Sequence, residues 1–145
     1  MSYATFDNMQ SLFGRNELVH ASQRPGDPGN VPNEPNGVVI QAALDGAAAE
    51  MTAALSPRYG AALTPQPGTP PLTQLVECQC WLAWCRLIGH SPRATDNMRH
   101  ECNRWRRWLT DVAEYRAAVL GLADSVAVSP VYVSQSASFL PWGNY

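Results

Sequence analysis

Histidines and carboxylates are the first residues to consider for catalysis in this sequence. His20, His90 and His100 are scattered over a loop edge, an interhelical turn and a helix surface. No Ser or Cys nucleophile stands in a recognisable signature with any of them, so each is better explained as a structural residue. Asp111 and Glu114 lie three residues apart on a predicted helix, which is typical of a solvated face. We therefore expect no catalytic residues and no enzymatic activity.

The cysteines are the candidates for metal or redox chemistry, and there are four of them: Cys78, Cys80, Cys85 and Cys102. The spacing Cys78-x-Cys80 is not the C-x-x-C pair of a structural zinc site. On a helix, residues 78 and 85 share a face, whereas 78 and 80 point to different sides. We predict buried thiols without a metal site or a disulfide framework. No Gly-rich phosphate loop follows a predicted strand, so we expect no cofactor.

An arginine- and tryptophan-rich segment, Arg99–Arg107, could bind nucleic acid, with arginines on phosphates and aromatic rings on bases. Trp105, however, falls on the predicted buried stripe of its helix. Most of the positive charge is offset by nearby acids, namely Asp96, Glu101, Asp111 and Glu114. The favoured interpretation is structural, a helix with a core face and a salt-bridged outer face. The better functional interpretation is a subunit interface that uses Arg99, Arg106 and Arg107, because Arg is a preferred interface anchor. Nucleic-acid binding is kept as the alternative.

Length and composition favour one globular domain of 145 residues with a net charge of −2. That charge argues against a nucleic-acid coat or a polybasic membrane binder. All ten basic residues are Arg and none is Lys, which is best explained by coding bias. The start lacks the pattern of a secretory signal, and the apolar runs are shorter than the ~20 residues of a membrane span. We expect a protein kept in a cytoplasm and no membrane partner.

Hydrophobic periodicity predicts an all-α fold, a small helical bundle of one short and three long helices. The short helix is expected at residues 5–14, capped by Thr5, and residues 16–22 could add one or two turns. The long helices are expected at residues 38–55, 72–89 and 95–120. Pro and Gly make residues 24–37 and 60–71 long exposed loops.

The helix at 72–89 is apolar on almost every side. Such a helix is either central in its bundle or covered on a second side by another subunit, and the sequence leaves both possibilities open.

The chain divides into a helical domain, residues 1–121, and an extended C-terminal arm, residues 122–145. The arm has no helical period, and its aromatic end is unlike a disordered tail, so we expect it to dock on a partner. The residues expected to make that contact are Val131, Tyr132, Phe139, Leu140, Trp142 and Tyr145.

Short motifs in a fixed order give the chain a resemblance to a known family. In chain order they are Tyr3-Ala4-Thr5, Leu12-Phe13-Gly14, Arg58-Tyr59 before a Pro-rich loop, Cys85-Arg86-Leu87 and Trp108-Leu109-x-Asp111-Val112-Ala113. Over residues 3–121 the sequence resembles the family of small Mu-like phage head proteins. It is also similar in size and helical layout to the head–tail connector proteins of tailed phages.

This resemblance implies a structural protein of the virion neck, assembled in the cytoplasm of the bacterial host. Connector proteins of this kind form a ring that matches the portal, dodecameric by family analogy, and join the DNA-filled head to the tail. The implied partners are further copies of the chain, the portal protein and the next neck or tail-completion protein, with DNA only as passing cargo. Arg58 and Tyr59 join the arginines above as possible subunit contacts.

Overall fold

The fold described here comes from a computed structural model, which describes residues 2–24, 26–89, 91 and 93–124. These residues form five α-helices and no strand, which confirms the all-α prediction. A short 3₁₀ helix, Gly60–Leu63, directly follows the third α-helix. The α-helices are α1 (Phe6–Phe13), α2 (Arg15–Ser22), α3 (Gly37–Tyr59), α4 (Thr73–Ile88) and α5 (Asp96–Ala113).

The core is built by the three long helices, with α3, α4 and α5 each packed against the other two. The two short helices lie against α3 and α4. Ten of the sixteen residues of α4 are buried, because four other helices of the same chain surround it. The apolar perimeter of α4 is therefore explained by its central position, and no second subunit is required to cover it.

The first helix starts at the predicted cap and is fixed to α4 by aromatic packing. The Thr5 hydroxyl accepts a hydrogen bond from the backbone N–H of Asn8, and the Asn8 side chain accepts one from the backbone of Thr5. At the other end of α1, the ring of Phe13 stacks on Trp84 with centroids 4.5 Å apart and meets Trp81 edge-on at 5.0 Å. The opening residues thus form part of the core.

A buried amide, Gln79 on α4, ties the N-terminal strand-like segment to the bundle. Its Oε1 accepts from the backbone N–H groups of Tyr3 (2.7 Å) and Ala4 (2.9 Å). Its Nε2 donates to Ser2 Oγ (2.9 Å) and to the carbonyl of Leu44 on α3 (3.0 Å). Gln79 is fully buried, and these four bonds satisfy its whole hydrogen-bonding capacity.

The third helix begins at a buried cap that the sequence analysis placed inside the 24–37 loop. The Asn36 side chain accepts from the backbone N–H groups of Val38 and Val39, and its own backbone N–H donates to Ser22 Oγ at the end of α2. The helix runs on through Pro57 to Tyr59, four residues beyond the predicted range of 38–55, and Gly60 is its C-cap.

Together, α3 and the 3₁₀ helix are long and apolar enough, by length and composition alone, to cross a membrane. An 18-residue window within them has a mean hydropathy of 1.3, and 39% of that window is buried. This departs from the expectation that the apolar runs are too short for a span. Core helices of soluble proteins pass the same test, and Leu44, Met51 and Leu55 of α3 are fully buried in the bundle.

The fifth helix ends at Ala113, seven residues before the predicted end at 120. Tyr115 adopts a left-handed φ of 62°, which a helix cannot contain. The backbone N–H groups of Arg116 and Ala117 then turn back to the carbonyl of Asp111. The apolar residues beyond 113 continue the helical period, but they belong to a turn that is fixed by contacts with α3.

The cysteine prediction is wrong for one pair. Cys85 on α4 and Cys102 on α5 form a disulfide, with their Cα atoms 6.0 Å apart. Periodicity within one helix could not show this, because the partner comes from another helix. Cys78 and Cys80 are buried free thiols, as predicted. Burial raises the pKa of Cys78, and it raises the pKa of Cys80 to about 12.

The free thiols make stability depend on pH. In the unfolded chain they ionise near pH 9, whereas in the folded chain they stay protonated to higher pH, so the unfolded state binds fewer protons above pH 9. We expect the free energy of unfolding to fall between pH 9 and 12, by up to about 1.4 kcal/mol per pH unit for each thiol. Urea unfolding across this range should show a shallower fall for Cys78→Ala/Cys80→Ala. An equal fall of the unfolding free energy with pH in the parent and the variant would contradict the assignment of this pH dependence to the two thiols.

Loss of the Gln79 amide should destabilise the fold. Gln79→Leu leaves the backbone N–H groups of Tyr3 and Ala4 buried without a partner and removes the second donor to the Leu44 carbonyl, so the free energy of unfolding should drop by about 2–4 kcal/mol. The matched control is Gln41→Leu, because Gln41 is exposed and bonds only to Asp45. That variant should stay within about 0.5 kcal/mol of the parent in urea denaturation. A loss for Gln79→Leu that is as small as the loss for Gln41→Leu would contradict the structural role of the Gln79 amide.

Candidate functional site

Arg58, in the last turn of α3, organises the end of the described chain. Its Nη1 donates to the carbonyls of Val112, at 2.8 Å, and Ala117. Its Nε donates to Asp124 Oδ1 at 2.8 Å. One guanidinium therefore satisfies a terminal carbonyl of α5, closes the turn after it and holds the last described residue.

Two tyrosine rings also lie beside Arg58. Its guanidinium carbon lies 5.0 Å from the ring centroid of Tyr59 and 4.6 Å from that of Tyr115. The hydroxyl of Tyr59 accepts from the backbone N–H of Val119 at 3.0 Å. The hydrogen bond to Asp124 raises the pKa of Arg58 and outweighs its desolvation by burial.

The resemblance suggested Arg58 and Tyr59 as subunit contacts, but the structure places them in the interior. Arg58 is 8% exposed and Tyr59 is fully buried. Their side chains contact the segment 112–124 of the same chain. They hold that segment in place but are not themselves exposed on the protein surface.

An apolar groove of about 320 Å³ lies along the segment that Arg58 fixes. Its lining combines the buried side chains of Tyr3, Leu63 and Leu75 with the exposed Ala62 and Pro70. Residues 121–123 form another wall. The Tyr3 hydroxyl donates to the Leu63 carbonyl at 3.0 Å, which joins two of the lining elements.

The arginines of α5 are exposed, but most of them are paired with acids. Arg99 lies 3.8 Å from Asp96, and Arg104 lies 3.2 Å from Glu101. Both pairs lie within α5 and are open to solvent, where such pairs contribute little to stability. Charge that is already balanced in this way offers little net attraction to a polyanion.

Arg106 reaches a different helix. It lies 3.3 Å from Glu50 Oε1 on α3, while Arg86 of α4 lies 3.0 Å from Oε2 of the same carboxylate. This cluster bridges all three long helices at the surface. Glu50 was not singled out from the sequence, because its partners are 36 and 56 residues away.

On the outer face of α5, Arg107 is exposed and Trp108 is half-buried. Within the part of the chain described here, Arg107 has no ion pair or hydrogen bond. Together with Gln74, Arg104 and Asp111 they line a depression of about 270 Å³. Trp105 is only 7% exposed, as its place on the buried stripe predicted, and its ring meets Trp108 edge-on at 5.5 Å.

The other candidate residues are quickly placed. The tail residues expected to dock, Val131 to Tyr145, lie outside the described residues, as does His90. His20 and His100 lie in α2 and α5. Over the described ranges, no group of three or more His, Cys, Asp and Glu residues is arranged to hold a metal ion.

Comparison with protein families assigns this chain to a phage protein family. A family model described as Bacteriophage Mu, Gp36 matches residues 3–133. The chain belongs to this family. The Gp36 family indicates a phage protein with a virion-related structural role, and the match covers the whole helical domain and the start of the C-terminal arm. No curated protein matches the chain.

Removing the Arg58 guanidinium should test its role in fixing the segment 112–124. Arg58→Met removes the side-chain donor to the Ala117 carbonyl and one of the two donors to the Val112 carbonyl, and we expect a loss of about 2–4 kcal/mol in the free energy of unfolding. Asp124→Asn is the matched control. The Asp124 side chain is 41% exposed, so solvent weakens the ion pair and its loss should cost no more than about 1 kcal/mol. Equal losses in urea denaturation would mean that the ion pair dominates.

Proposed function

We propose that this Gp36-family protein is a head–tail connector of the virion neck. In this role it forms a ring under the portal and joins the DNA-filled head to the tail. The observation that carries the proposal is the family match over residues 3–133, supported by the size and all-α fold that connector proteins share. The proposed role is structural and involves no catalysis.

The surface supports a lateral contact between subunits better than it supports binding to DNA. Arg107 and Trp108 stand exposed or half-exposed beside a depression, whereas Arg99, Arg104 and Arg106 are paired with acids. Arg and Trp are frequent anchors of protein interfaces. We propose that Arg107 and Trp108 lie at the contact between neighbouring subunits, with Arg99 and Arg106 at its edge.

The C-terminal arm is the proposed contact with the portal or with the next neck protein. Asp124 is held at the protein surface by Arg58, so the chain beyond it starts from a fixed point. The aromatic residues Phe139, Trp142 and Tyr145 would supply large apolar contacts at a small cost in side-chain entropy.

Assembly with the portal of the same phage tests the connector role and the contact made by the C-terminal arm. Native mass spectrometry and electron microscopy of the mixture should show a ring that matches the portal's symmetry. Phe139→Ser/Trp142→Ser should abolish this complex while leaving the circular dichroism spectrum unchanged, because the substitutions remove the anchors and spare the bundle. The matched control Ser134→Ala/Ser136→Ala should assemble normally.

The outcomes distinguish failure of the connector role from failure of the arm contact. If the parent chain forms no complex with the portal, the connector proposal is wrong. If the parent and the Phe139→Ser/Trp142→Ser variant assemble equally well, the chain is a connector and its arm is not the contact.

A further inference from the structure

We infer that, in the free protein, the groove described above is occupied by the chain's own C-terminal aromatic segment, residues 139–145. The groove would hold Trp142 until a partner takes the arm. This inference does not rest on the connector role, since it concerns the isolated chain and is tested without a portal.

The first argument is that neither the groove nor the segment carries a charged side chain. The side chains that line the groove carry no Asp, Glu, Lys, Arg or His. The four other surface depressions described in this chain each carry at least one charged side chain, such as Asp111, Glu17, Glu77 or Arg106. Residues 125–145 likewise contain no charged residue. The side chains of this segment can enter the groove without desolvating an ionised side chain.

The second argument is shape and preorganisation. Pro65, Pro70 and Pro71 contribute to the wall, and proline has a fixed φ and no backbone N–H to leave unpaired beneath an apolar ligand. A volume of about 320 Å³ is at the lower end of the range for ligand pockets, a size suited to an aromatic side chain and its neighbours. Trp142 and Phe139 would bury a large area there for few lost rotamers.

The third argument is the position from which the remaining chain starts. Residues 121–123 are themselves part of the groove wall, and Arg58 holds Asp124 immediately after them. Residues 125–138 then connect this point to Phe139, and a connection of that length can turn back within a reach of roughly 45 Å. Tethering gives the segment an effective concentration of about millimolar order, which favours it over a second copy.

Fluorine NMR of the full-length protein labelled with 5-fluorotryptophan tests the inference. The chain has five tryptophans, and Trp142→Phe identifies the resonance of residue 142. We expect that resonance to be protected from a soluble paramagnetic agent. The protection should persist through about hundredfold dilution, because an intramolecular contact does not depend on concentration.

Ala62→Glu should expose Trp142, because it puts a carboxylate into the groove, and we expect the ratio of docked to free segment to fall by about tenfold. The matched control is Ala61→Glu, an exposed position on the same 3₁₀ helix that does not line the groove, and it should leave the protection unchanged. Pro70→Glu, in another segment of the groove lining, should have the same effect as Ala62→Glu. It provides a second measurement in case Ala62→Glu fails to fold.

Three results would overturn the inference. Full exposure of Trp142 in the parent chain would mean that the groove is empty. Loss of protection on dilution would make a second copy the occupant. Protection that survives both Ala62→Glu and Pro70→Glu would place the tryptophan elsewhere on the protein.

Discussion

The contact between Arg58 and the end of α5 is the constraint on which the C-terminal half of the fold depends. A buried cation needs acceptors on every side, and here they come from Val112, Ala117 and Asp124. These contacts close the turn after α5 and hold the chain that leads to residues 121–123, which form one wall of the groove. The same contact fixes where the arm begins.

A second buried polar side chain, Gln79, fixes the N-terminal segment in the same way. Gln79 holds Tyr3 and Ala4 against the central helix, and Tyr3 in turn lines the groove from below. Both ends of the helical domain therefore meet at one apolar surface. For a protein whose proposed role is to join other proteins, this brings Tyr3 and the point where the arm begins onto the same side of one small bundle.

Local patterns predicted most of the helices because helical periodicity depends on neighbours three and four residues apart. The Thr5 cap, the buried stripe of α5 with Trp105 and the buried thiols of Cys78 and Cys80 follow from such patterns. Predictions that needed distant partners were less successful. The period beyond residue 113 is helical, yet α5 stops at Ala113. Cys85 has the setting of a buried thiol, yet its partner lies in another helix.

The sequence by itself determined the all-α class, the approximate positions of the helices and the absence of charged side chains beyond Asp124, since these depend on residue type and short-range spacing. Only the tertiary structure decided that α4 is central, that Arg58 and Tyr59 are interior and that Glu50 joins Arg86 with Arg106. The hydrogen bonds of Arg58 and Gln79 join residues 66 and 76 positions apart. Nothing in local spacing encodes which distant backbone group a buried polar side chain will meet, because that depends on how the helices pack.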